Sequence, residues 1–136
     1  MEKVDYKFRQ LQSAYERLEE VASIKFPASE IGADSIVIDS AIQRFEFTTE
    51  LFWKFLKTLL EYKGIAVNAT PVDVIRAAKT AGILTADDQW IALIRDRNIT
   101  SHVYDDAQAT VIYNKVKDTY VSMFKQFIED YAGSSC

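Results

Sequence analysis

The chain is poor in the residues that punctuate a backbone, with four glycines and two prolines in 136 residues. That scarcity argues against a turn-rich β architecture. The single cysteine, Cys136, is the last residue, which excludes an internal disulfide and a cysteine-cluster zinc site. The single histidine, His102, would need carboxylate partners to hold a metal, and no spacing places them. No apolar run approaches the roughly 18–20 residues of a membrane-spanning helix, and the N-terminus has no signal-peptide core. A soluble cytoplasmic protein without membrane association is the expectation. Positive charge is not in excess: 16 Lys and Arg face 20 Asp and Glu, for a net charge of −4. There is no global basic field to hold nucleic acid, so any RNA or DNA contact has to be local. The glycines are isolated, so no glycine-rich phosphate loop exists and no cofactor is implied.

What remains is an ordinary globular composition, 49% hydrophobic and 26% charged, in a length that suits one domain over 1–136. Helical periodicity dominates it. Phe8, Leu11, Tyr15, Leu18 and Ala22 recur at spacings of three and four, predicting a helix over Val4–Ala22. Phe26 to Ala33 contains a Pro and a Gly and reads as a loop. The longest pattern runs from Ser35 to Tyr62, with Ile38, Ile42, Phe45, Phe52, Phe55, Leu56 and Leu59 as its main stripe and Gly64 as its stop. One acid, Glu46, lies beside this apolar surface, and Thr48 and Thr49 slightly weaken the helix. Thr70-Pro71-Val72-Asp73 predicts a short helix capped by Thr70 and ending near Ala81, before Gly82. Thr85-Ala86-Asp87-Asp88 repeats that logic and opens a helix with Trp90, Ile91 and Ile94 that ends around Asn98. Asp105 or Asp106 caps a last long helix to about Tyr131, striped by Ala109, Ile112, Val116, Tyr120, Met123, Phe124, Phe127 and Tyr131. Residues 133–136 are expected to be a disordered tail. The sum is an all-α antiparallel bundle of about five helices: two long, one of medium length at the N-terminus and two short.

The chemistry concentrates in Arg97-Asn98-Ile99-Thr100-Ser101-His102-Val103-Tyr104. On an unbroken helix Arg97 and His102 would diverge by about 140°. A helix that ends near Asn98 lets the chain turn and gather Arg97, Asn98, His102 and Tyr104. In an extended stretch His102 and Tyr104 would share a side. A histidine of near-neutral pKa can take a proton from an RNA 2′-hydroxyl or give one to a leaving 5′-oxygen. An arginine can hold the phosphate and the charge that builds on it. A second acid/base is missing from one chain, and a two-fold dimer would supply it. Blander readings stand beside this one. A lone histidine at a helix end is more often a cap or a surface residue. Arg97 could pair with Asp96, Asp105 or Asp106, and Tyr104 could be a half-buried aromatic. The Phe45–Phe55 stripe is core, and Asp87-Asp88 is a helix start.

The segment from Ile42 to Lys57, the Asp73-Val74-Ile75-Arg76 and Ala81-Gly82-Ile83-Leu84 segments, Trp90, and Asp96 to Tyr104 resemble, in the same order, the nucleotidyltransferase substrate-binding family. That family lies within the HEPN superfamily. The resemblance implies a HEPN-like helical bundle that forms a homodimer and pairs with a cognate minimal nucleotidyltransferase. It implies an RNA-cleaving, metal-independent toxin of a type VII-like toxin–antitoxin pair. Its composite site would use the R-x4-H motifs of both subunits, here Arg97 and His102, with Asn98 in support. It further implies that the nucleotidyltransferase transfers AMP to the tyrosine of H-x-Y, here Tyr104, silencing the nuclease. A bulky phosphate-bearing adduct two residues from His102 would fill the groove and repel an RNA phosphate. Glu46 is a further supporting candidate, as a helix-2 acid that could orient Arg97. The family's older name carries the alternative, a non-catalytic substrate-binding or adaptor subunit of a two-component nucleotidyltransferase. A purely structural capped helix junction is the third reading.

Overall fold

The computed structural model describes residues 1–25, 33–102 and 105–134. Helices α1 (Glu2–Ala22), α2 (Ala33–Tyr62), α3 (Pro71–Thr80) and α4 (Asp87–Thr100) are followed by one long rod. The rod consists of α5 (Asp106–Lys115), a π-helical stretch (Val116–Tyr120) and α6 (Val121–Ser134). The bundle is all-α among the described residues, with two long helices, a medium first helix and two short ones, as the periodicity predicts. The Phe26–Ala33 loop lies outside the described residues except for Ala33, which opens α2. The rod extends through Ser134, so Gly133 and Ser134 continue the last helix rather than begin a disordered tail; residues 135–136 lie outside the described set.

The helix ends follow from local chemistry. Gly64, at φ +79°, ends α2, and the Ile65 amide donates back to the Leu60 carbonyl at 2.9 Å. Gly82, at φ +77°, repeats the motif for α3, with Ile83 donating to Ala78 at 2.9 Å. Glycine adopts this left-handed conformation without a Cβ penalty and lets the last carbonyls find donors. Pro71 opens α3 with its preset φ and absent N–H; the Thr70 side chain makes no capping bond. The cap of α4 is Ala86 at φ 55°, not Thr85, a left-handed geometry that costs a non-glycine residue about 1–2 kcal/mol.

Antiparallel α1 and α2 form the most extensive pair. Phe8 meets Phe55 at 5.4 Å between ring centroids, and the Arg44 guanidinium donates to the Arg17 carbonyl at 2.7 Å. At the centre, Phe52 stacks on Trp90 of α4 at 4.3 Å and meets Phe127 of α6 edge-on at 5.1 Å. Three helices are thereby tied through one fully buried ring, and such ring pairs add about 0.5–1.5 kcal/mol beyond area burial. Thr48 and Thr49 are buried, and their hydroxyls donate to the Arg44 and Phe45 carbonyls at 2.7 and 2.8 Å. Back-bonding satisfies them inside the core.

Candidate active site

The site is built where the C-terminal turns of α4 cross the middle of α2. Glu46 sits on α2 directly after buried Phe45, whose ring anchors that turn in the core. Its carboxylate faces α4, with Oε2 3.7 Å from the Arg97 guanidinium and accepting from the Thr100 hydroxyl at 2.7 Å. Arg97 and Glu46 are both about a quarter to a third exposed (26% and 30%), so the pair is a surface feature held from below. The Thr100 hydroxyl also lies 2.6 Å from the Arg97 carbonyl, and the Ser101 hydroxyl donates to the Asn98 carbonyl at 2.9 Å. Ser101 thus satisfies one carbonyl of the last turn, and the single Thr100 hydroxyl proton is shared between Glu46 and a second, at an end where carbonyls otherwise lack partners. These bonds explain why α4 does not stop near Asn98 but continues through Thr100, β-branched Ile99 notwithstanding. The chain then closes with the His102 amide on the Ile99 carbonyl at 2.8 Å.

The fold brings some of the expected site residues together and leaves others apart. Arg97 and Glu46 meet. Asn98 is exposed on the same turn, and His102 is exposed in the turn after α4. No hydrogen bond or ion pair among the described residues joins Arg97 to His102. Tyr104, and with it the extended stretch expected to align it with His102, lies outside the described residues. Asp96 is not a partner of Arg97. It accepts from the Tyr120 hydroxyl and lies 3.4 Å from the Lys115 ammonium. Burial, and then the hydrogen bond to Asp96, push the Tyr120 hydroxyl pKa well above its ordinary range. Thr100 was not among the expected site residues, since the helix was expected to end around Asn98. Its position three residues after Arg97, on the same helix face, was the available signal.

A groove of about 610 Å³ is present at the other end of the bundle, lined in part by Tyr62, Thr85, Gln89, Trp90 and Tyr131. It excludes Glu46, Arg97 and His102. No described group of three or more His, Cys, Asp or Glu residues is arranged to hold a metal ion, and no described helix is long and apolar enough to cross a membrane. The Arg97 surface offers a guanidinium, a carboxylate 3.7 Å from it and, five residues on, an exposed imidazole. That set suits an anionic phosphodiester better than an apolar ligand.

The chain is a small helical bundle among its described residues, and comparison identifies its family. Residues 6–132 match the model of the family described as nucleotidyltransferase substrate binding protein like. The chain belongs to that family. A probable ribonuclease HepT of Haemophilus influenzae is 35% identical over 86 residues, 60% of this chain and 59% of that relative. A protein of Thermus thermophilus has a similar structure, with a TM-score of 0.73 and 32% identity over 88% of this chain and 97% of that one. A Shewanella oneidensis HEPN toxin, solved tri-AMPylated and in complex with its MNT antitoxin, shares the fold at a TM-score of 0.75 and 17% identity, covering 96% of each chain.

Proposed function

We propose that this protein is a homodimeric, metal-independent endoribonuclease toxin, with Arg97 and His102 as its catalytic residues and Asn98 and Glu46 in support. The observation that carries the reading is the Arg97 guanidinium 3.7 Å from the Glu46 carboxylate, five residues before an exposed histidine. In the proposed reaction, the neutral His102 of one copy takes the proton of the RNA 2′-hydroxyl. The 2′-oxygen attacks the adjacent phosphorus as the bond from phosphorus to the 5′-oxygen breaks. The protonated His102 of the second copy delivers a proton to that leaving oxygen, and Arg97 stabilises the phosphorane charge. Two copies are needed because one chain presents one imidazole. Two apolar side chains favour such pairing: Phe47 and Ile99, each adjacent in sequence to a member of the Glu46–Thr100 contact, are 58% and 52% exposed.

Silencing is assigned to a partner nucleotidyltransferase that transfers AMP from ATP to the Tyr104 hydroxyl, releasing pyrophosphate. The AMPylated Shewanella toxin and the probable ribonuclease from Haemophilus support this reading. The alternative is a non-catalytic adaptor subunit, favoured by the net charge of −4 and by the lack of a second acid/base in one chain. Expression of the chain alone separates the two. The toxin reading expects growth arrest, loss of arrest in Arg97→Ala and His102→Ala, and relief by the nucleotidyltransferase only when Tyr104 is intact. Normal growth, together with a stable complex between the two proteins, would favour the adaptor.

A further inference from the structure

The last helix carries an irregularity that its sequence foreshadows. Ile112, Val116, Tyr120 and Phe124 repeat every four residues, and all four are buried. Over those 12 residues an ideal α-helix turns about 120° away from its starting face. The π-helical stretch Val116–Tyr120 absorbs the excess, since its i→i+5 bonding takes up one extra residue per turn. It also lets Lys115 and Tyr120, five residues apart and about 140° divergent on an α-helix, both reach Asp96.

Tyr120 thereby touches both helices that build the site. Its ring stacks on Phe45 at 5.4 Å, with the planes 10° apart, and Phe45 directly precedes Glu46. Its hydroxyl donates to Asp96, and Asp96 directly precedes Arg97. One side chain from the π turn thus grips α2 and α4 at the residues that flank the Glu46–Arg97 pair. The Asp96 side chain is only 15% exposed, so this grip is sheltered from solvent, whereas the Glu46–Arg97 pair above it is not.

We infer that Tyr120 and Asp96, joined through the π turn, are positioning residues for the Arg97–His102 site. The inference rests on the ribonuclease reading for its kinetic consequence, but its structural consequence can be measured without RNA. Tyr120→Phe keeps the ring that stacks on Phe45 and removes only the hydroxyl. Asp96→Asn keeps an oxygen that accepts from Tyr120, and Asp96→Ala does not. Because His102 is the only histidine, its imidazole ring gives an unambiguous NMR signal beside the proposed site.

The test compares RNA cleavage kinetics, helical content and the His102 ring signals in wild type and these three variants. Tyr120→Phe and Asp96→Ala are expected to lower kcat about tenfold, the scale of a sub-ångström misplacement, with KM near wild type and the His102 signals moved. Asp96→Asn is expected to recover most of the kcat that Asp96→Ala loses. Unchanged kcat in Tyr120→Phe overturns the inference. So does a loss that tracks the folded fraction while the His102 signals of the folded protein stay fixed. Should wild type cleave no RNA, the ribonuclease reading fails on its own. The ring signals then decide: moved in a natively helical Tyr120→Phe they uphold the positioning role, and unmoved they overturn it.

Discussion

Replacing Glu46 separates the structural from the functional share of its contact with Arg97. The ion pair is long, at 3.7 Å, and its side chains are 26% and 30% exposed, so solvent screening limits it to about 0.2–1 kcal/mol. The Thr100 hydroxyl bond to Glu46, at 2.7 Å, is better formed. Its loss is buffered, because the same hydroxyl has the Arg97 carbonyl 2.6 Å away as a second acceptor. Glu46→Ala should therefore cost about 1 kcal/mol in all, roughly 3–4 °C in Tm for a chain of this size. Glu46→Gln, which still accepts from Thr100, should cost less. RNA cleavage should respond far more strongly, falling about 10- to 100-fold in either variant, because a guanidinium free to wander no longer meets the phosphorane where its charge develops. Thermal unfolding followed by circular dichroism, beside cleavage rates on the same preparations, reads both. Raised salt should bring wild type toward Glu46→Gln in stability, since the pair is accessible to counterions. Equal cleavage by wild type and Glu46→Ala would refute the claim that Glu46 orients Arg97.

Other expectations follow from the same geometry. Phe52→Ala empties the point where α2, α4 and α6 meet, beside Trp90 and Phe127. It should destabilise by about 3–5 kcal/mol, and a urea midpoint near that of wild type would contradict the packing account. Ala86→Gly relieves a φ of 55° and should raise stability by about 0.5–1 kcal/mol, seen as a higher urea midpoint; a lower one would show that the left-handed cap is not strained. Burial, and then hydrogen bonds to Glu19 and Asp96, hold Tyr15 and Tyr120 protonated in the fold above their ordinary pKa of 10.0. The unfolded chain releases those protons first, so stability is full below pH 10.0 and declines as pH rises beyond it. Tyrosinate absorbance should then rise together with the loss of helical signal, and full titration of the tyrosines in an intact bundle would contradict it.

Helix number, order and most boundaries were legible because the apolar stripes are long and the stops at Gly64 and Gly82 are chemically plain. What escaped the sequence depended on side-chain bonds to the backbone and on tertiary contacts, neither of which periodicity carries. The end of α4 was misplaced because Thr100 and Ser101 use their hydroxyls to satisfy carbonyls, which propensity alone does not anticipate. Thr48 and Thr49 counted as weak helix formers yet lie in the core for the same reason. The Ala86 cap has no local signature at all. The π turn also went unread, since residues from Asp105 or Asp106 to Tyr131 were taken as one regular helix, although the four-residue spacing from Ile112 to Phe124 is a period too long for an α-helix to hold on one face. The motif marked Arg97, Asn98 and His102 as candidates, and the approach of Glu46 to Arg97 was anticipated only as a helix-2 acid. The Asp96–Tyr120 contact was not, because it needs the crossing of α4 with the final rod.

The most direct test of the central claim is RNA cleavage in excess chelator by wild-type protein whose intact mass shows no added AMP, with His102→Ala from the same procedure beside it. A His102-dependent, metal-independent nuclease predicts cleavage by wild type and none by His102→Ala. Equal cleavage by both would remove His102 from the chemistry, and intact RNA with a folded wild-type dimer across several substrates would contradict the ribonuclease assignment.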